Sequence, residues 1–411
     1  VRLLLVHQNF PGQFLHLAPA LAARGHVVAA LTDAANTRPA PAGVTLWKYR
    51  SPPPPPPEGG ARLAASFARA ADRALVVARA ARQLRDRHGF VPDLILGHSG
   101  WGETLFLREV WPEARLIVYA EFYYASRGLD VGFDPEFGPV TDDRAIAVVA
   151  RQAQHALAMA QADAALSPTR FQADTYPPAF RDRISVIHDG IDTDRLRPDP
   201  AARFALPSGR VLAPGDEVLS FVNRNLEPYR GAHVFLRALP AVLAARPQAQ
   251  VVVVGGDGAS YGAPAPGGQG WRAAIEAELG GPLDPARVHF TGRIPYDRFV
   301  ALMQVARVHC YLTVPFVLSW SALEAMAAGA LLVGSATPPV AEVVEDGRTG
   351  RLVPFPDPGA LAAALVEGLA SPDATEGLRA AARARMVQDY DLRRVCLPRQ
   401  IAFVEAGGPR A

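Results

Sequence analysis

The sequence predicts an α/β protein built of two Rossmann-like, doubly wound domains in tandem, and three observations carry that prediction. Short runs rich in Val, Leu and Ile alternate with longer alanine-rich stretches of helical period, the pattern of a parallel sheet wrapped by helices. The alternation breaks once, over residues 192–216, and then resumes. Finally, 411 residues of which 49% are hydrophobic suffice for two buried cores but are long for one. The expected division is residues 1–195, then 210–385, with 386–411 forming a helix that returns to the first domain. Ligands of such sheets lie beyond the carboxyl ends of the strands, so a cleft between two facing domains is the expected site.

The elements follow in order. "RLLLV" reads as a first strand, "HQNFPGQ" as a turn, residues 14–24 as a helix and "HVVAALT" as the parallel second strand. Six consecutive prolines, Pro52 to Pro57, cannot join a sheet ladder and read as an extended loop. A long helix is expected from about Ala61 to His88, with Leu63, Phe67, Ala70, Ala74, Val77, Ala81 and Leu84 on one face and Arg62, Arg69 and Arg73 at its border. That pattern suits a core-facing helix with a solvated rim; docking on an anionic membrane surface is the competing use. Further strands are read at "DLILG", "ARLIVYA", "ADAALS" and "RISVIH". "DTDRLRPDPAARFALPSGRVLAPGD" then loses periodicity and reads as a linker. A second series follows in "VLSFV", "AQVVVVGG", "RVHFTG", "ARVHCYL", "ALLVGS" and "GRLVPF".

Charge and composition exclude several classes. Forty-two basic residues against 40 acidic ones is too even a balance for a protein whose main task is neutralising a phosphate backbone, so no nucleic-acid partner is expected. The two cysteines, Cys310 and Cys396, stand alone, which writes neither a disulfide framework nor a zinc site. The first apolar run is too short for a signal-peptide core and no stretch approaches twenty apolar residues, so the expectation is a soluble, cytoplasmic protein, with peripheral contact at the inner membrane face as the alternative. Lys48 is the only lysine.

Three features carry chemistry. In "LSFVNRNLEPYRG", Arg224 and Arg230 flank a turn that opens a helix at Gly231; two guanidiniums and a helix N-terminus suit an anion, although two surface arginines in a loop would look the same. In "YLTVPFVLSWSALEAMAAGALLVGS", Glu324 is the only charged residue and needs a partner. Ser321 and Glu324 also have the spacing of a capping box, which would give the glutamate a purely structural task. The acidic group Glu121, Asp130, Asp134 and Glu136 is irregularly spaced around glycines and reads as an acceptor loop and not as a metal site.

Taken together and in this order, "FVNRNLEPYRG", "VVVVGGDG", "VHFTGRIP", "SWSALEAMAAG" and "EDGRTGRLV" resemble the family 4 retaining glycosyltransferases of GT-B architecture. The match is strong from about residue 189 to 369. In the looser N-terminal half, "QNFPGQF" with Gly12 sits where the family carries a glycine-rich loop, and "IHDGID" resembles its interdomain segment. The resemblance implies that Arg224 and Arg230 clamp the donor diphosphate, that Glu324 binds the ribose, and that Arg293 and Ile294, with Gly256 beside them, hold the nucleobase. It also implies that the amides of Ser319, Trp320 and Ser321 face the phosphates. Two departures stand out. The first glutamate of the family's E-x7-E pair would fall where this chain has Phe316, and Glu121 in "YAEFYY" stands where many members have a histidine, with His98 in "LGHSGWGE" a candidate substitute as a sugar-contacting group.

The function implied is transfer of a sugar, with retention and without a metal, from a nucleoside diphosphate sugar of UDP or GDP type. That donor is a co-substrate, and no resident cofactor is expected. The acceptor is a sugar, lipid-linked glycan, small molecule or protein. Phe316 motivates the rival reading of a nucleotide-sugar binding or regulatory protein with weak catalysis, and a nucleotide-sugar epimerase shares the architecture. A dehydrogenase is disfavoured because "GGDGASYG" does not complete the dinucleotide fingerprint, and a pyridoxal-phosphate phosphorylase because Lys48 lies in the wrong domain.

Overall fold

The computed structural model describes residues 1–51, 53 and 63–408. Most of the expected proline loop, and Ala61 and Arg62 at the expected start of the long helix, lie outside the described residues. The chain divides into two compact units, Val1–Asp189 with Arg393–Ala411, and Gly190–Leu392.

The first unit is a parallel sheet of β1 (Arg2–Val6), β2 (Val27–Asp33), β3 (Val44–Tyr49), β4 (Leu94–His98), β5 (Arg115–Tyr119), β6 (Ala164–Ser167) and β7 (Ile184–Val186). Their order is β3-β2-β1-β4-β5-β6-β7, with Leu4 of β1 opposite Ala29 on one side and Ile95 on the other. Because alternate residues point to opposite faces and both faces are covered, the strands read as continuous apolar runs. Leu3 and Leu5 pack with Leu17, Leu21, Phe403 and Val404, whereas Leu4 and Val6 pack with Val77, Ala81 and Met159. The strand order reverses between β1 and β4, which marks their carboxyl ends as the crevice where such sheets bind ligands.

The long helix runs Ala65–His88 and ends on Gly89, whose φ of 60° lets its N–H reach the Arg85 carbonyl. Ala70, Ala74, Val77, Ala81 and Leu84 are buried as expected and Phe67 packs at the margin. Leu63 does not belong to that face: it precedes the helix and is exposed.

In the second unit a small antiparallel hairpin, β8 (Phe204–Ala205) with β9 (Val211–Leu212), precedes a parallel sheet of β10 (Val218–Asn225), β11 (Gln250–Gly256), β12 (Val288–Gly292), β13 (Val308–Tyr311), β14 (Leu331–Ser335) and β15 (Arg351–Val353). The order β12-β11-β10-β13-β14-β15 repeats the reversal, here between β10 and β13. Two boundaries differ from expectation. Residues 192–216 are no free linker, since Leu196, Phe204, Leu206 and Leu212 are buried in the second unit's core. The chain re-enters the first unit at Arg393 and not at residue 386, because the helix Glu376–Asp389 buries Ala382 and Met386 in the second core. Among the described residues no helix is long and apolar enough to cross a membrane.

Candidate functional site

At the carboxyl end of β10 the chain makes a single 3-10 turn, Pro228–Arg230, and then caps the helix Ala232–Ala245 with Gly231. Glycine is required there: its φ is 64°, and a Cβ would lie 2.4 Å from that of Leu312. This close approach brings Arg230 under the end of β13. One guanidinium nitrogen of Arg230 donates to the Tyr311 hydroxyl at 3.0 Å, to Thr313 Oγ1 at 2.9 Å and to the Val317 carbonyl at 2.9 Å. The residue is only 5% exposed. Burial alone would lower its pKa, but the facing Tyr311 and Tyr261 hydroxyls and Glu227 outweigh that and raise it, so the group stays charged. Arg224, still within β10, is exposed. Both guanidiniums turn toward one ring, that of Tyr261, with carbons 5.9 Å (Arg224) and 5.3 Å (Arg230) from its centroid.

Phe316 is buried in the same group. Its ring lies 5.2 Å from Tyr229 edge-on, 5.1 Å from Tyr261, and 5.4 Å from the Arg230 guanidinium carbon. An aromatic trio therefore stands where the family pattern has a carboxylate.

Glu324 is not part of a capping box. The helix Trp320–Ala328 is capped at Ser319, which puts Ser321 inside its first turn, and the glutamate instead accepts the Tyr296 hydroxyl at 2.7 Å on Oε1. Burial raises its pKa to about 7, against the opposing pull of that hydrogen bond. Of the three amides expected to face phosphate, that of Ser319 donates to the Tyr311 hydroxyl at 2.8 Å, so it is engaged within the protein. Ser321 is buried and Trp320 exposed. Gly256 and Arg293 meet: a Cβ on Gly256 would sit 2.6 Å from Asn225 Oδ1 and 3.8 Å from Arg293 Nε. Arg293 is exposed, and Ile294 packs against the second core.

The first unit gathers His7, Gln13, His98 and Glu121 at the carboxyl ends of β1, β4 and β5. The Asn9 amide donates to His7 Nδ1 at 2.9 Å, so His7 carries its proton on Nε2, which donates to Gln13 Oε1 at 2.9 Å. Gln13 Nε2 in turn donates to Glu121 Oε1 at 3.0 Å. The Gly100 amide donates to His98 Nδ1 at 2.9 Å, which leaves the His98 Nε2–H facing Glu121 Oε2 at 3.5 Å. Burial and the neighbouring His98 press the His7 pKa down to about 3. Burial pushes Glu121 up, but the His98 contact, His7 and Gln13 together hold it below the usual carboxylate range. Trp101 stacks on His98 at 4.1 Å. Gly12 has a local reason to be glycine, since at φ 49° its Cβ would fall 2.5 Å from His7 Nε2. Glu121 is thus tied to Gln13 and His98, while Asp134 caps the 3-10 turn Pro135–Phe137 through the Glu136 amide at 3.1 Å.

Sequence reasoning missed Tyr229, Tyr261, Glu227, Tyr296 and Gln13. Tyr261 carried a faint signal, an aromatic residue inside a Gly/Pro-rich loop directly after a strand. The others gave none until the fold placed them.

Two sheets of reversing strand order, one bearing an arginine pair and a buried glutamate at its carboxyl edge, have the architecture of the GT-B proteins. A profile of the glycosyl transferase family 4 group matches residues 24–196, and one of the glycosyl transferases group 1 matches residues 216–371. The chain belongs to the family 4 glycosyltransferases. It is similar to a D-inositol 3-phosphate glycosyltransferase of Streptomyces coelicolor, 28% identical over 249 residues that cover 56% of this chain and 53% of that protein. A phosphatidyl-myo-inositol mannosyltransferase of Mycobacterium leprae is 32% identical over 50% of this chain and 49% of its own length. The chain thus spans about half the length of the curated relatives it matches. Among solved structures, Anabaena HepE in complex with UDP and glucose aligns with a TM-score of 0.65 at 16% identity, covering 98% of this chain and 99% of that one. The sucrose-phosphate synthase of Thermosynechococcus elongatus aligns at 0.69 and 18% identity, covering 98% of each chain. Those two likenesses are of fold.

Proposed function

We propose that this protein is a retaining, metal-independent glycosyltransferase that moves a sugar from a UDP or GDP sugar to an acceptor hydroxyl. The observation that carries the reading is the convergence of Arg224 and Arg230 on one ring at the carboxyl edge of the second sheet. Two guanidiniums, that of Arg230 held by hydrogen bonds and that of Arg224 exposed, supply the positive charge that a divalent ion would otherwise bring to a leaving diphosphate. Glu324, with Oε1 held by Tyr296, suits the ribose hydroxyls through its other oxygen. Support for a nucleotide sugar as donor comes from HepE, which was solved with UDP-glucose.

Phe316 offers no carboxylate for a covalent intermediate, so retention calls for front-face attack. The bond from the anomeric carbon to the phosphate oxygen breaks, a bond to the acceptor oxygen forms on the same face, and the acceptor proton passes to the departing phosphate. Phe316 then walls the sugar site and disfavours donors with a hydroxyl directed at it, because that hydroxyl would lose its partner. At the carboxyl edge of the first sheet, the polar groups of His98 and Glu121 suit the hydroxyls of a sugar. The same Phe316 motivates a second reading, a nucleotide-sugar binding protein with weak catalysis. UDP and GDP sugars incubated with a panel of sugar, polyol-phosphate and lipid-linked acceptors decide between them. The expected product keeps the donor's anomeric configuration by NMR and forms equally in EDTA; an inverted product or chelator-sensitive activity refutes the mechanism, and tight donor binding with no transfer to any acceptor favours the second reading.

A further inference from the structure

Arg230 presents a puzzle as a phosphate ligand. Three acceptors on one nitrogen prevent the guanidinium from swinging, and 5% exposure leaves little room for approach. Beside it lie the rings of Phe316 and Tyr261, their centroids 5.4 and 5.3 Å from its central carbon. Phe316 is buried. Tyr261 sits in "DGASYGAPAPGGQG", a loop whose composition gives it no reason to hold one shape.

What holds it is Glu227. This fully buried carboxylate accepts on Oε2 the successive amides of Ser260, Tyr261 and Gly262 at 3.1, 3.1 and 2.9 Å. Asn225 adds a bond from Nδ2 to Ser260 Oγ at 2.6 Å. Both anchors lie between Arg224 and Arg230 in the chain, so one short segment carries the two cations and also the groups that fix the ring toward which they turn. A buried carboxylate is a costly way to pin a loop. The ring it fixes remains 36% exposed, so it adds little to the core. The device makes sense as a means of placing Tyr261 over the arginines.

We propose that Glu227 and Tyr261 are positioning residues of the diphosphate clamp: Glu227 sets the loop, and Tyr261 draws the exposed Arg224 toward the Arg230 already fixed at the end of β13. The proposal rests on the reading of the arginines as phosphate ligands. Tyr261 acts through both of its parts: its ring attracts the two cations, and its hydroxyl hydrogen-bonds Arg230 and helps keep that guanidinium charged.

The test uses the full chain and calorimetric titration with UDP, GDP, UMP and GMP. Tyr261→Ala is expected to weaken binding of the preferred diphosphate by about five-fold or more, with the matching monophosphate nearly unaffected, and Tyr261→Phe, which keeps the ring and loses the hydroxyl, to recover part of that loss. Glu227→Gln, which retains an acceptor oxygen without charge, should fall between them. Arg230→Ala is measured alongside. If it abolishes the diphosphate preference while Tyr261→Ala does not alter it, the positioning role is overturned and the clamp stands. If Arg230→Ala leaves the preference intact, the clamp reading itself fails and the proposal with it. Tighter diphosphate binding by Tyr261→Ala also overturns the proposal, since the ring then occludes the arginines. Should Glu227→Gln unfold, the Tyr261 pair still decides.

Discussion

Glu324 combines a buried carboxylate, one phenol partner and a pKa raised to about 7, and these set a definite pH dependence. Because the folded-state pKa lies above the unfolded one, the protonated form favours folding. That contribution is complete below pH of about 4 and is lost as pH rises through about 7, amounting to on the order of 3 kcal/mol. Ribose hydroxyls, in contrast, donate best to the ionised form, so nucleotide binding is expected to strengthen across the same interval. Glu324→Gln should flatten both trends, raising stability at pH 8 while weakening donor binding. Thermal melts and titrations at pH 6 and pH 8 check this, and a variant that keeps the wild-type pH profile of donor affinity removes Glu324 from the ribose site. The glutamate was legible in the sequence because it is a lone charge in an apolar stretch. Tyr296, twenty-eight positions upstream and on another helix, was not, because nothing in the chain's local pattern couples the two until β12 and β13 bring their following helices together.

At the scale of elements, the strand-turn-helix from β10 through Gly231 makes the sharpest demand on sequence. Gly231→Ala combines a left-handed φ of 64° with a Cβ 2.4 Å from that of Leu312, both backbone-adjacent atoms that cannot swing aside. It is expected to cost at least about 2 kcal/mol, and to weaken diphosphate binding as well because Arg230 is the preceding residue. Denaturant unfolding and UDP or GDP titration read the two effects; an unchanged midpoint argues that the helix start tolerates a shift. Buried parallel strands such as β1 and β11 were readable as apolar runs. β3 escaped because an edge strand carries mixed residues: Thr45 and Lys48 are exposed and only Val44 and Tyr49 are buried. Residues 192–216 looked like a linker since their buried positions, Leu196, Phe204 and Leu212, are spaced irregularly among prolines and aspartates. At the helix start, Ser321 and Glu324 have the spacing of a capping box without forming one, because motif spacing does not say which serine is the cap.

For the whole molecule, the informative feature is that residues 393–408 complete a unit begun nearly four hundred residues before. The helix Leu397–Glu405 buries Phe403 and Val404 against the face formed by Leu3, Leu5 and Leu21, Arg24 pairs with Glu405 through two oxygens at 2.7 and 3.0 Å, and Arg115 donates to the Gly407 carbonyl. Each of the two apolar side chains contributes roughly 1.5–3 kcal/mol, a large share of a domain's net stability. Deleting residues 397–408 should therefore strip hydrogen-exchange protection from β1, β4 and β5 while β10 to β14 keep theirs; uniform loss across both sheets, or none, would contradict the division into two units. The return also has a bearing on synthesis and on inheritance. While the ribosome is still making the second sheet, the first has one apolar face waiting for a helix that does not yet exist, a long interval in which chaperones must shield it. A premature stop codon late in the gene therefore injures the part of the protein that was encoded first.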